Sequence, residues 1–269
     1  MPLVEAIYAP NAPFLIAPEA FGGAGGAAAA ALRELRVGER HRPDAVVVVT
    51  PHWVTRGGFR VQVDPHPRQI YDFGGMPEAL HRVVYRPAGD PSLGEALVVA
   101  GRAGGLAIEG TTDWGLDHGA WSALMHLFPG ATVPVVPVSI VPGRPRDHVA
   151  LGRAFRSVLE APGRRVALVA TGSIVHDFAR FSSDPGARWP EGERIEEAIV
   201  ARALALDVEG LLGFDPAAWR RVQPEGDLAP LFVLLGAVGD RARPRLVARE
   251  FGFGGFSLTT IEFPPAAPP

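Results

Sequence analysis

Short apolar runs bounded by turn residues recur along the chain, at Val4 to Tyr8, Ala45 to Val49, Phe59 to Val63, Val133 to Val141, Val166 to Ala170, Leu246 to Glu250 and Phe256 to Phe263. Their length and content predict strands. Between them, apolar positions recur at helical spacing over Ala27 to Arg36, Pro91 to Ala103, Ala120 to Phe128, Arg146 to Leu159, Arg194 to Leu206 and Leu228 to Val238. Strand and helix alternate, which predicts an α/β sheet covered on both faces. The expected fold is a single α/β domain over residues 1 to 263, with a central mixed β-sheet and helices on both sides. The Pro/Ala tail at 264 to 269 reads as frayed. Three stretches lack periodicity, Pro65 to Met76, Glu109 to His118 and Phe178 to Pro190, and long loops in a compact domain are usually binding loops or lids.

Composition narrows the chemistry. Arginine supplies every one of the 26 cationic side chains, against 29 acids, for a net charge of −3 with no block of like charge. That balance favours a small substrate over nucleic acid or a membrane surface. The absence of cysteine excludes disulfides, thiolate zinc sites, iron–sulfur clusters and cysteine nucleophiles, so any metal takes N and O ligands. The N-terminal Met-Pro-Leu-Val-Glu-Ala-Ile-Tyr has no basic region followed by an apolar run, and a soluble, cytoplasmic protein is expected.

Three of the eight histidines stand where an open α/β sheet places ligands, or enter a helix from a turn-rich loop. His52 follows Ala45-Val-Val-Val-Val-Thr-Pro, His176 follows Val166-Ala-Leu-Val-Ala-Thr-Gly-Ser-Ile-Val, and His118 lies in Gly115-Leu-Asp-His-Gly-Ala-Trp. Any one of them, taken singly, reads equally well as a hydrogen-bonded structural group. His41, His66, His81, His126 and His148 read as solvated or capping residues. The Gly22-Gly-Ala-Gly-Gly segment is too far from the preceding strand to be a dinucleotide fingerprint. Ser173, His176 and Asp177 lie too close in sequence to form a nucleophile, base and orienter chain with ease. The aromatics Trp53, Tyr71, Phe73, Trp114 and Trp121 line a flat-ring pocket or belong to the core.

Thr50-Pro-His-Trp, Ile70-Tyr-Asp-Phe-Gly-Gly-Met-Pro, Gly115-Leu-Asp-His-Gly-Ala-Trp, Thr171-Gly-Ser-Ile-Val-His and Pro230-Leu-Phe-Val-Leu-Leu-Gly-Ala occur in register over most of the chain. Together they resemble the class III extradiol ring-cleavage dioxygenases, of the single-chain type. The resemblance implies a non-haem Fe(II) enzyme that binds a small aromatic diol and O₂ and cleaves the ring beside the diol; Zn(II) is the ion of a hydrolase alternative. It implies His52 as a metal ligand, His176 as the acid/base and His118 as a group that hydrogen-bonds substrate or oxygen. The family's first ligand is a histidine in a His-x-Pro segment after the first strand, and here Ala9-Pro-Asn-Ala-Pro puts Asn11 at that position. The last ligand, counted back from Leu231, is Asp227, with Glu225 as its neighbour; an acid there also suits a helix N-terminus. Family members often pair into homodimers, which the sequence leaves open. Asn11 keeps a metal-poor binding protein of the same fold in view, and the histidines keep a zinc-dependent hydrolase in view.

Overall fold

The computed structural model describes residues 3–265. Of the tail at 264 to 269, residues 266–269 lie outside the described residues, while Pro264 is tied in, its carbonyl accepting from Arg243 N at 3.0 Å. Eight strands form one mixed sheet: β1 (Leu3–Ala9), β2 (Ala45–Val54), β3 (Phe59–Gln62), β4 (Ile108–Thr111), β5 (Val135–Ile140), β6 (Val166–Thr171), β7 (Arg245–Gly252) and β8 (Phe256–Glu262). Their order across the sheet is β4-β3-β5-β2-β6-β1-β8-β7. The centre is parallel, with β6 between β2 and β1, and antiparallel pairs β1/β8, β7/β8 and β3/β5 make the sheet mixed.

The helices are α1 (Gly26–Glu34), α2 (Val37–His41), α3 (Glu78–His81), α4 (Pro91–Ala103), α5 (His118–Leu127), α6 (Pro145–Leu159), α7 (Pro190–Leu204), α8 (Val208–Leu212), α9 (Pro216–Val222) and α10 (Ala229–Val238). Leu97 of α4, Phe155 of α6, Ile199 of α7 and Leu231 of α10 pack on one face of the sheet, against Val47, Val49 and Leu168. On the other face, Leu32 of α1 and Trp121 and Leu124 of α5 pack against Val46, Val48 and Val169. Val46 to Val49 are therefore buried from both sides, which is why the run has no polar alternation. Among the described residues, no helix is long and apolar enough to cross a membrane.

The expected strands and long helices are all present. Two kinds of element escape the pattern. Strand β4 is a four-residue edge strand whose Glu109 and Gly110 are exposed, so it carries no apolar run. Helices α2, α3, α8 and α9 are of four to seven residues, too short for a period to show. Strand β2 also runs two residues past His52, so this histidine lies within the end of the strand.

Candidate active site

Three neighbouring parallel strands end at one place. Asn11 follows β1 by two residues and is 2% exposed, His52 sits near the end of β2, and Ser173 and His176 lie on the bend after β6. This is the crevice outside the carboxyl ends of an open sheet. Glu225 reaches it from the turn between α9 and α10, held there by a reciprocal pair: its N–H donates to the Ser173 carbonyl (3.0 Å) and its Oε2 accepts from Ser173 N (3.1 Å). The next three residues, Gly226, Asp227 and Leu228, all have left-handed backbones, with φ of 57°, 54° and 55°. Left-handed conformations at non-glycine residues cost energy and persist where the surrounding structure imposes them, often beside functional groups. A Cβ on Gly226 would stand 2.8 Å from Ile140 Cδ1 and 2.9 Å from Pro51 Cβ, so the turn closes onto β2 only with glycine there.

The polar floor is a knot of five side chains. His52 Nε2 lies 2.8 Å from Glu225 Oε1 and 3.4 Å from Asn11 Nδ2, and Asn11 Nδ2 donates to Glu225 Oε1 at 3.1 Å. On the other side of the ring, His52 Nδ1 meets Asp72 Oδ2 at 2.7 Å. Asp72 also accepts, through Oδ1, from the backbone N–H and the Nδ1 of His118, both at 2.8 Å. One carboxylate thus orients two imidazoles, whose rings meet edge to face at 4.3 Å. Gly119 makes room for this, since a Cβ there would lie 2.7 Å from His52 Cδ2.

Charge follows from geometry. Burial pulls the His52 imidazole down, but its hydrogen bonds to Asp72 and Glu225 and the charge of Glu225 outweigh burial and hold it up at about 11. Burial pushes Glu225 up, yet the bond to His52 and the positive charges of His52 and His176 bring it down to about 2. Asp72 likewise resists burial, and its bonds to His118 and His52 keep it well below the usual carboxylate range. Two carboxylates converge on one imidazole, so the floor calls for positive charge, supplied by a proton on His52 or by a cation.

The donor set suits a metal ion. Asn11, His52 Nε2 and Glu225 Oε1 lie within 3.4 Å of one another, and ligands side by side around an ion bound at about 2.0–2.2 Å stand about 3 Å apart. Asn11 presents its amide N–H in this arrangement, and a half-turn about its last side-chain bond, a soft torsion, presents Oδ1 instead. His52, Asp72 and His118 form a second group that could hold a metal ion, their donor atoms lying within 4.8 Å of one another. There both Asp72 oxygens already accept from ring nitrogens at hydrogen-bond distances, which favours the Nε2 side of His52, with Asp72 as the support that fixes its tautomer.

Above the floor opens a cavity of about 470 Å³ that His52, His118 and His176 all line. His176 is held by ring packing, 4.9 Å from Phe178 and 5.4 Å from Phe256, rather than by a charged partner. All three expected wall loops contribute: Asp72, Phe73 and Met76 from the first, His118 from the second, and Phe178 and Phe181 from the third.

Asn11, His52, His118 and His176 thus come together as the sequence suggested, and Asp227 does not. Asp227 is exposed on the left-handed turn, accepts from Trp219 Nε1 at 3.3 Å and lines a different cavity with Trp219 and Phe232. Counting residues assumes a regular helix, and the left-handed turn sends residue 227 outward and leaves Glu225, its neighbour in the count, in the site. Sequence reasoning missed Asp72, although it lies inside the Ile70-Tyr-Asp-Phe-Gly-Gly-Met-Pro motif; a carboxylate beside the histidine motifs was the available signal. His126 and His148, expected to be solvated or capping, are buried structural groups: His126 Nε2 meets the Leu15 carbonyl at 2.8 Å, and His148 bridges Val141 N and the Arg144 carbonyl at the start of its helix. Of the candidate aromatics only Phe73 lines the cavity; Trp121 and Tyr71 pack in the core, and Trp53 stacks on Trp114. Asp177 is turned to Ala179 N, Gln223 and Arg180, which leaves no Ser–His–Asp chain.

Comparison with known proteins gives the family. The chain is 28% identical over 229 residues to a 4,5-DOPA dioxygenase extradiol of Mirabilis jalapa, covering 83% of this chain and 84% of that protein. It is 38% identical over 142 residues to the protein of the same description from Escherichia coli K12, about half of each chain. A solved structure of an uncharacterized E. coli K12 protein superposes with a TM-score of 0.74 at 21% identity, over 96% of this chain and 99% of that one, and shares the fold. A family model, the catalytic LigB subunit of aromatic ring-opening dioxygenase, matches residues 27–263, a span that holds His52, Asp72, His118, His176 and Glu225 but not Asn11. The chain belongs to this family of aromatic ring-opening dioxygenases.

Proposed function

We propose that this protein is a non-haem, metal-dependent dioxygenase that opens a catechol ring beside its diol with O₂, with Asn11, His52 and Glu225 holding the ion, Fe(II). The observation that supports the reading most directly is the convergence of these three side chains at the floor of an apolar cavity that two further histidines line. An ion held by three protein donors keeps positions free for both catechol oxygens and O₂, which is the chemistry such sites supply. The residues do the rest. Asp72 takes the Nδ1 proton of His52 into a hydrogen bond and so keeps Nε2 free to ligate. His176, poised between two phenylalanines, accepts a catechol proton on a ring nitrogen and later returns it. His118, fixed by Asp72 through Nδ1, turns its Nε2 edge to substrate or oxygen. The aromatic wall excludes water from the reacting ring. The net change is cleavage of the ring carbon–carbon bond next to the diol, with both atoms of O₂ entering the product.

The test is anaerobic loading with Fe(II), then a screen of catechols in an oxygen electrode. One O₂ taken up per catechol, with both labelled atoms of ¹⁸O₂ found in the ring-opened product, is expected. No uptake with any catechol by the Fe(II)-loaded protein refutes the reading. Asn11, an amide where the family resemblance places imidazole, favours one second reading, a binding protein of the same fold without a resident ion. In that case elemental analysis after metal loading and desalting finds no stoichiometric ion while catechols still bind.

A further inference from the structure

Half of the chain's 14 phenylalanines, seven of them, line this one cavity, together with Met76. Phe14 packs edge to face on Phe253 at 5.4 Å and on Phe256 at 6.2 Å, Phe178 on Phe256 at 5.1 Å, and Phe181 stacks on Phe253 at 5.4 Å. The ionisable groups that line the cavity are Asp72, Glu225 and three histidines: both carboxylates, His52 and His118 are engaged with one another in the floor, and His176 packs between Phe178 and Phe256. No arginine lines the cavity among the described residues, and the chain has no lysine to offer. The nearest cation in sequence, Arg180 between Phe178 and Phe181, is folded away: its guanidinium lies 3.9 Å over the Trp189 ring and its Nε 3.4 Å from Asp177. Arg82 and Arg188 are likewise paired, with Glu78 and Glu193. His81 stands behind Phe73, its ring 4.9 Å away, and does not reach the cavity lining.

We infer that the catechol this site takes is uncharged and carries an aryl or alkyl substituent packed on the phenylalanine wall, and that the site discriminates against catechols bearing a carboxylate. The inference rests on the catechol reading above and deepens it. An apolar cavity of about 470 Å³ is larger than a bare catechol needs, so the substituent occupies the remaining space. A carboxylate packed on that wall loses hydration and meets no arginine or lysine, the costly case of a charge desolvated without a counter-ion. An aryl group gains edge-to-face contacts instead. The relatives described as 4,5-DOPA dioxygenases are named for a catechol amino acid, whose carboxylate meets this obstacle here.

Equilibrium binding tests this without turnover. Metal-loaded protein under argon is titrated calorimetrically with 4-phenylcatechol and 4-tert-butylcatechol against 3,4-dihydroxybenzoate and DOPA. The pair 4-phenylphenol and 4-hydroxybenzoate, which have no diol, follows as a control. The apolar ligands are expected to bind at least about 100-fold more tightly in both sets. Phe178→Arg, at a side chain 67% exposed and so safe for folding, is expected to narrow the ratio at least tenfold by supplying the missing cation. Equal or tighter binding of the carboxylates, or no binding of any phenol or catechol, overturns the inference. Apolar preference in the absence of oxygen uptake upholds it and refutes the reaction instead.

Discussion

Asp72→Asn is the sharpest perturbation of the floor, because it preserves shape and removes one charge. Asp72 Oδ1 already accepts twice on the His118 side, from the backbone N–H and from Nδ1, each at 2.8 Å. In the variant, the one remaining carbonyl oxygen stays with those two donors, and the new NH₂ faces His52 Nδ1. That nitrogen must then become an acceptor, which moves the ring proton to Nε2, the atom that faces Glu225 at 2.8 Å and is needed for the ion. The variant therefore pays twice, once for a charge-assisted hydrogen bond and once to return the His52 tautomer before an ion can bind. Loss of the supporting partner of a metal-bound histidine typically costs 10- to 100-fold in metal affinity. The expected loss lies at the upper end, about 100-fold, or about 2.7 kcal/mol. The assay is competition against a chelator of known affinity, in the presence of Fe(II) or Zn(II), with circular dichroism to confirm folding. A Kd within threefold of the parent protein refutes the reasoning, since it leaves Asp72 with no part in orienting His52.

Other outcomes follow from the same geometry. Glu225→Gln should abolish stoichiometric metal binding and Asp227→Asn leave it unchanged, as elemental analysis after desalting reads directly; the reverse pattern would restore Asp227 as the ligand. His176→Phe should keep its metal and lower turnover by about 10²- to 10⁴-fold, the worth of a positioned proton transfer, so loss of metal in that variant would place His176 among the ligands. Asn11→His should tighten Fe(II) binding by about 10- to 100-fold, and an unchanged titration would remove Asn11 from contact with the ion. Away from the site, Glu5 is buried against Glu262, and burial, the bond to Glu262 and its charge raise Glu5 to about 9. The folded protein then keeps a proton that the unfolded chain has lost, so stability declines as pH rises from 4.5 toward 9. Glu5→Gln should melt higher than the parent by a margin that grows across that window; a margin independent of pH contradicts the assignment.

What the sequence made legible depends on how local the cause is. The run Ala45 to Val49 announces a doubly covered parallel strand because its burial on both faces suppresses alternation, and His52 then inherits its place from the end of that strand. His176 is legible for the same reason after β6. Asp72 is not, because its role depends on a loop folding back until one carboxylate meets residues 20 and 46 positions away, a closure no periodicity encodes. The choice between Glu225 and Asp227 turns on φ at three residues: a regular helix start would carry the count through, whereas the left-handed turn at Gly226 to Leu228 reverses which acid faces inward.

Those same long-range closures explain why so polar a floor survives beneath so apolar a wall. His52 is kept in register by a glycine at 119 that yields its space, by Asp72 from one loop and by Glu225 from another, the latter anchored in turn to the Ser173 backbone. Each contact comes from a different segment, so a change in any one loop is resisted by the others, and the carboxylates cannot relax toward solvent. The resulting excess of negative charge stays focused on the His52 ring, Asp72 at Nδ1 and Glu225 at Nε2. Under the proposed reading, a floor so constrained would take up a cation by displacing the His52 proton rather than by reorganising the chain, and this preorganisation would leave the phenylalanine wall free to select among substrates.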